Sequence, residues 1–317
     1  MKHRYLRAAR RVFGVVLLSA CATTPTSRPD GAARVAAGPP RLAVISAFDA
    51  ELDRLRAATE VTETRVINGR THYLGRLAGH DVVLLLSGFS MVNAAMTTQA
   101  LLDRFPIRGI VFSGIAGGVN PGLRVGDVTV PAQWGNYQEA VFARETPAGW
   151  DTGRRAGAFA NFGMMFPRAA SVAAGNAHPD SLVNQFWFAA DSASLVTARQ
   201  AAQTVRLARC TSAGECLQHE PTVVIGGNGV SGPTFVDNAA YREWAWTTFQ
   251  ADALDMETAA VALVASQNRV PYIAFRSLSD LAGGGAGRNE VPVFGKLAAD
   301  NSAALVIAYL QALPRRP

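Results

Sequence analysis

Short apolar runs that return between helical segments constrain this chain most. Leu42-Ala43-Val44-Ile45-Ser46-Ala47, Val82-Val83-Leu84-Leu85-Leu86, Gly109-Ile110-Val111-Phe112, Asp127-Val128-Thr129-Val130, Thr222-Val223-Val224-Ile225 and Tyr272-Ile273-Ala274-Phe275-Arg276 are apolar at most positions rather than at every second one. Such runs read as strands buried on both faces. Leu52, Leu55 and Ala58 stand at helical spacing after Asp49-Ala50-Glu51, and further helices are expected over about 91–104, 194–207, 238–249, 257–267 and 294–312. Asn68-Gly69-Arg70 marks a turn between two strands, one around Val66 and Ile67 and one from Tyr73 to Leu77. The alternation predicts an α/β fold: a single domain with a mixed, largely parallel central sheet flanked by helices.

In such sheets a ligand sits beyond the carboxyl ends of the strands. Ser87-Gly88, Gly114 to Gly118 and Asp280 all fall there. Three acidic pieces follow strands in the same way: Asp49-Ala50-Glu51, Asp255-Met256-Glu257 and Ser279-Asp280. One such acid would read as a helix cap. Three that converge on one sheet edge are costly to bury without a function. The five His residues have neither triad nor metal-ligand spacing, so no metal is expected. The glycine-rich stretches match no Walker or dinucleotide pattern, and no cofactor is implied.

The first 20 residues carry five cations, no acid and the apolar run Val12 to Leu18, the layout of a secretory signal peptide. Leu18-Ser19-Ala20-Cys21 is similar to a bacterial lipobox, in which Cys21 would be lipidated and become the first residue. Those five cations account for most of the formal net charge of +6, leaving +1 on the remaining 297 residues. A nucleic-acid partner therefore has no electrostatic footprint. Residues 21–40 read as a flexible tether, and no later stretch reaches 18 uncharged apolar residues. An envelope location follows, with the lipid in the outer membrane, since Ala22 rather than Asp follows the Cys, and the body facing the periplasm. Cys210 and Cys216 remain as an even pair in an oxidising compartment and are expected to form a disulfide. They lie in an aromatic-rich insertion at about 134–220, which is expected to supply part of the pocket.

Six motifs occur in order: Ser46-Ala47-Phe48-Asp49-Ala50-Glu51, Ser87-Gly88-Phe89-Ser90-Met91-Val92-Asn93-Ala94-Ala95, Ser113-Gly114-Ile115-Ala116-Gly117-Gly118, Val125-Gly126-Asp127, Asp255-Met256-Glu257 and Ser279-Asp280. Together the chain resembles the nucleoside phosphorylase/nucleosidase superfamily, nearest the 5′-methylthioadenosine/S-adenosylhomocysteine nucleosidases. The likeness covers roughly residues 41–133 and 221–313. It implies cleavage of the N-glycosidic bond of purine nucleosides. Asp280 would protonate the leaving base, and Glu51 would activate a water that Ser87 and Arg276 help to hold. Glu257 would bind the ribose hydroxyls with Met256 against the sugar, and Phe235 would stack on the base. Gly88, Gly114, Val236 and Ser279 complete the implied substrate-binding set. A homo-oligomer, dimer or trimer, is expected as well.

Two other readings stay open. Phosphorylases of the superfamily need an anion site, yet Phe112 and Ile115 stand where the hexameric bacterial type has Arg and Ser, and Ser46 to Glu51 contains no Arg. The Cys pair and Ser231-Gly232-Pro233-Thr234-Phe235-Val236-Asp237-Asn238 also resemble secreted plant storage proteins of the same fold, which implies binding without catalysis. Glu51, Glu257 and Asp280, all present, favour the hydrolase.

Overall fold

A segment apolar at every position is stable only where both faces are covered, and the central strands meet that condition. The structure, a computed structural model, describes residues 38–153, 157–175, 177–178 and 180–314; the leader, Cys21 and the tether up to residue 37 lie outside the described residues. Strand Arg41–Ser46 runs parallel between His80–Leu86 and Ile107–Gly118. Its residues Ala43 to Ile45 are sealed from solvent, as are Val82 to Leu85 beside them. On the opposite edge of Ile107–Gly118, strand Tyr272–Asp280 pairs in parallel, with Arg276 opposite Gly114.

The long strand Ile107–Gly118 organises the rest. The sequence placed a strand only up to Phe112, but pairing continues through the glycine-rich Gly114 to Gly118. Its first half pairs with Arg41–Ser46, and Gly117 and Gly118 pair antiparallel with Ala251–Asp255. Both neighbours occupy the edge that Tyr272–Asp280 leaves free. One runs along the long strand and the other against it, so their carboxyl ends point at each other. The segments that leave those ends, Ala47 to Glu51 and Asp255 to Glu257, therefore meet over the middle of the long strand.

Glu60–Ile67 and Arg70–Leu77 form a hairpin whose Asn68 and Gly69 both have positive φ (51° and 74°), the two-residue turn that matches strand twist. Helices Asp49–Ala57, Met91–Arg104, Ala239–Phe249 and Thr258–Gln267 lie close to their expected positions. Helix Val291–Ala312 is long and apolar enough to span a bilayer. It carries Lys296 and Asp300, however, and buries Leu297, Ala303, Leu305, Val306 and Leu310 in the core.

The stretch at 134–220 is not wholly an excursion from the sheet. Gln133–Asn136 and Trp187–Ala189 pair with each other, and the first also runs parallel to Asn228–Ser231. Asn228–Ser231 escaped the sequence reading because Val230 is its only apolar residue. Between these strands lie three two-stranded ribbons. Tyr137 and Phe186 of this stretch join a second core with Trp244 and Phe249 of helix Ala239–Phe249, buried together against Val230 and Leu254. Helix Ser192–Ala202 is capped by Asp191, which accepts the Ser194 N–H at 2.8 Å.

Cys210 and Cys216 are joined by a disulfide. Leu217, next to Cys216, packs with Val125 and Leu297. Closing so short a loop with the disulfide removes little entropy from the unfolded chain, so replacing both Cys by Ser should cost roughly 2–3 kcal/mol in denaturant melts. Non-reducing peptide mapping of freshly isolated protein should recover the linked pair, and two alkylatable thiols there would contradict the bond.

Candidate active site

Arg276 sits at the centre of the crevice between the converging strand ends, with no solvent exposure. Its Nε lies 2.8 Å from Asp255 Oδ2, and its Nη1 and Nη2 lie 3.8 Å from Glu51 Oε1 and Glu257 Oε2. Nε and Nη2 also donate to Thr258 Oγ1 at 3.0 and 2.9 Å, and the guanidinium stacks over the Phe112 ring at 4.2 Å. Nη1 has no hydrogen-bond partner among the described residues. The pair between Arg276 and Glu51 crosses the long strand at Gly114. A Cβ there would fall 1.9 Å from Nη1 and 2.5 Å from Glu51 Oε1, so only glycine fits.

The carboxylates are held by backbone as well as by charge. Glu51, in the first turn of helix Asp49–Ala57, accepts the Ala47 N–H at 2.7 Å and the Ile115 N–H at 2.8 Å. It thereby ties the loop after the first strand to the long strand. Glu257 accepts the Ser90 N–H at 2.7 Å. Asp255 accepts from Ser231 Oγ, Thr258 Oγ1 and the backbone N–H groups of Glu257 and Thr258. Three buried acids facing one guanidinium cannot all be ionised cheaply. Burial pushes the Glu257 carboxyl up to about 7, Asp255 adds to the rise, and Arg276 opposes it. Burial also raises the Glu51 pKa, against the pull of Arg276 and of the Ile115 and Ala47 amides.

Asp280 closes strand Tyr272–Asp280. Its Oδ2 accepts from Ser279 Oγ at 2.8 Å, and its Oδ1 accepts the Ala282 N–H at 2.8 Å. Burial raises its pKa above the ordinary carboxylate value, and these donors partly offset the rise. A buried carboxyl so placed can hold a proton for delivery.

Glu51, Glu257 and Asp280 line one cavity of about 320 Å³, whose walls are otherwise mostly apolar: Phe48, Phe89, Ile115, Val236, Leu254, Met256 and Val291. Phe48 and Phe89 stack with ring centres 5.1 Å apart. Phe235 lies on the cavity with 59% of its surface exposed. Of the residues singled out in the sequence, Glu51, Phe235, Val236, Met256, Glu257 and Asp280 line the cavity. Gly114 and Arg276 stand behind Glu51. Ser87 and Gly88 lie off the wall, and the Ser87 hydroxyl donates to its neighbour's carbonyl, Gly88 O, at 2.9 Å. Ser279 faces Asp280 rather than the cavity. Among the described residues, none of 134–220 lines the cavity, where a contribution was expected. Its effect is indirect: Gln138 accepts from Thr234 Oγ1 and donates to Tyr241, bracing the loop that carries Phe235. Sequence reasoning gave no role to Phe48, Phe89 or Asp255, although all three lie inside the motifs it quoted.

A cavity walled by aromatic and aliphatic side chains, with one carboxyl able to stay protonated and another tied to a guanidinium, is built for acid–base cleavage of a flat, mostly apolar molecule. The chain belongs to the phosphorylase superfamily, whose family model matches residues 41–311. It is similar to the 5′-methylthioadenosine/S-adenosylhomocysteine nucleosidase of Bacillus thuringiensis (strain Al Hakam), 32% identical over 247 residues, covering 77% of this chain and 87% of that one. Among solved structures it is similar to the Neisseria meningitidis nucleosidase of the same name in complex with methylthio-immucillin-A, at 27% identity and a TM-score of 0.64, covering 87% of this chain and all of that one. The futalosine hydrolase of Helicobacter pylori shares the fold, at 21% identity and a TM-score of 0.65, covering 86% of this chain and 98% of that one.

The raised Glu257 pKa has a consequence for stability. Between about pH 4.5 and 7 the folded state holds a proton on Glu257 that the unfolded chain has lost, so this group's stabilisation, full below 4.5, disappears as pH rises through 7. Glu257→Gln should flatten that part of the stability profile of the ligand-free protein. Thermal melts from pH 4 to 8 that fall equally in both proteins would contradict the assignment.

Proposed function

We propose that this protein hydrolyses the N-glycosidic bond of adenine nucleosides that carry an apolar 5′ substituent. The observation that carries the reading is the cavity itself, in which Asp280, whose pKa burial raises, and the Arg276-paired Glu51 share apolar walls. Cleavage passes through a sugar cation, so the base must leave neutral and water must be delivered to the anomeric carbon. Asp280 gives its proton to the purine as the bond to ribose breaks and the electron pair leaves with the base. Glu51 takes a proton from water, whose oxygen bonds to the anomeric carbon. Glu257 holds the ribose hydroxyls, Met256 packs on the sugar and Phe235 covers the base. The stacked Phe48 and Phe89 offer the apolar surface that a 5′-alkylthio group would take. The names of the similar nucleosidases support the same substrate class.

Water rather than phosphate is the nucleophile in this reading. Among the described residues no Arg or Lys lines the cavity. Arg276 stands behind Gly114 facing three carboxyls, which would repel a phosphate dianion. The complete acid set likewise favours catalysis over storage.

The lipobox-like segment ending at Cys21 supports a lipid anchor in a bacterial envelope, with the catalytic body in the periplasm under the outer membrane. The disulfide fits an oxidising compartment. Phe89 on the cavity wall, with Val92 and Met96 on the helix that follows it, exposes apolar surface, which favours assembly of the chain with copies of itself.

Asp280→Asn should lower turnover by about 100- to 10,000-fold with little change in affinity, since an amide cannot deliver the proton. Glu51→Gln should also stop hydrolysis. Release of adenine from methylthioadenosine, followed with and without phosphate, should be phosphate-independent and yield free sugar. Formation of a sugar 1-phosphate would establish phosphorolysis instead, and binding of adenine without cleavage would support storage.

Cys21→Ser should abolish lipid processing and move the protein out of the membrane fraction. Unchanged fractionation and mass would rule out the anchor.

A further inference from the structure

The segment between Asp280 and helix Val291–Ala312, Leu281-Ala282-Gly283-Gly284-Gly285-Ala286-Gly287-Arg288-Asn289-Glu290, is glycine-rich and belongs to no strand or helix. It is nevertheless closely fitted. A Cβ on Gly283 would fall 2.2 Å from the Asn238 backbone N, and one on Gly284 2.7 Å from Arg242 Cδ. The Asn238 N–H donates to Ala282 O at 3.0 Å. The loop is thus clasped to the start of helix Ala239–Phe249, just after the segment that carries Phe235.

Asn289 closes the clasp. Its Nδ2 donates to Asp237 Oδ1 at 3.1 Å and to Asp280 Oδ1 at 3.4 Å, while its Oδ1 accepts the Val291 N–H at 3.0 Å. All three contacts fix which way the amide points. Turned over, it would set an oxygen against two carboxyls and its NH2 against an N–H donor. Asp280 Oδ1 therefore receives two N–H donors, from Ala282 and Asn289, and has no room for a hydrogen of its own. Among the described residues Oδ2 accepts only from Ser279 Oγ, which also lies 3.3 Å from Ala116 O. That hydroxyl can donate to Oδ2 when the acid is ionised and turn to Ala116 O when Oδ2 holds hydrogen.

We propose that Asn289 is a positioning residue for the general acid: with the Ala282 N–H it commits Asp280 Oδ1 to accepting, so that the transferable proton resides on Oδ2. This rests on the reading of Asp280 as the acid. The charged groups around the carboxyl are Glu290 on its own loop, Asp237 beyond Asn289, Arg242 against Gly284, and Glu51 and Glu257 on the shared cavity. Asn289 supplies a donor that favours the ionised form of Asp280 amid this mostly acidic set. Removing it should leave Asp280 a weaker and less well-aimed acid.

The test is the pH dependence of methylthioadenosine cleavage by the full chain and its Asn289→Ala and Asn289→Asp variants. Asn289→Ala should lower kcat roughly 10- to 100-fold, with KM within about twofold. It should also move the high-pH limb of kcat upward by about half a pH unit or more. Asn289→Asp keeps the size but replaces the donor with an acceptor, and should move the limb further. Variants with the wild-type limb overturn the proposal, whether kcat is unchanged or the loss appears only in KM and melting temperature. If Asp280→Asn is inactive while both Asn289 variants behave as wild type, positioning alone fails. If Asp280→Asn retains full turnover, the general-acid reading fails first and takes this proposal with it.

Discussion

A single guanidinium, Arg276, lets three carboxyls share the space between two strand ends. It lies within 3.8 Å of Glu51, Asp255 and Glu257 and rests on Phe112. Without that charge, three acids in an apolar crevice would expel one another or take up protons until none could act as a base. The arrangement needs Gly114, because the contact with Glu51 passes where any other residue would place a Cβ. It also needs Thr258, which accepts from the guanidinium and donates to Asp255. Removing the arginine alone would strand buried charge, a larger penalty than the pair contributes by existing.

Charge in the cavity is divided by distance from that guanidinium. Asp255 lies nearest and accepts from Ser231 Oγ, Thr258 Oγ1 and two backbone N–H groups. Glu257 lies farther away beside Asp255, and its carboxyl is pushed up to about 7. Asp280 is not among the arginine's partners, and burial dominates its pKa. Glu51 and Glu257 thus share a counter-charge from which Asp280 stands apart, a separation of roles that acid–base cleavage needs.

The sheet and the acids were legible in the sequence for one reason: both depend on short local patterns. Uninterrupted apolar runs mark strands covered on both faces, and acids just after them mark sheet ends. Asn228–Ser231 was not legible, because its Gly229 fits against Trp134 and the preceding Gly227 against the Asp252 carboxyl, contacts that only the assembled fold contains. The cavity wall was partly legible. Phe48 and Phe89 stand inside recognisable motifs, but their stacking joins segments 41 residues apart. The aromatic stretch at 134–220 misled in the other direction. Clustered rings look like a binding surface in sequence, whereas Tyr137, Phe159, Phe186 and Trp187 pack on helix Ala239–Phe249 in a second core, and Trp134 and Phe188 lie in the main one.

Tyr272–Asp280, the last strand in the chain, is interior to the sheet. It pairs with Ile107–Gly118 and Val128–Val130, each laid down some 150 residues earlier, and it brings both Arg276 and Asp280. Contacts of such long sequence separation are slow to form, since loop closure must be completed before they contribute. Until the strand docks, the early part of the chain holds Glu51 without its counter-charge, and no part of it holds an acid for the leaving base. Chemical competence therefore requires the last strand to be docked, and a nascent or nicked chain lacking its last fifty residues has no partially working site to fall back on.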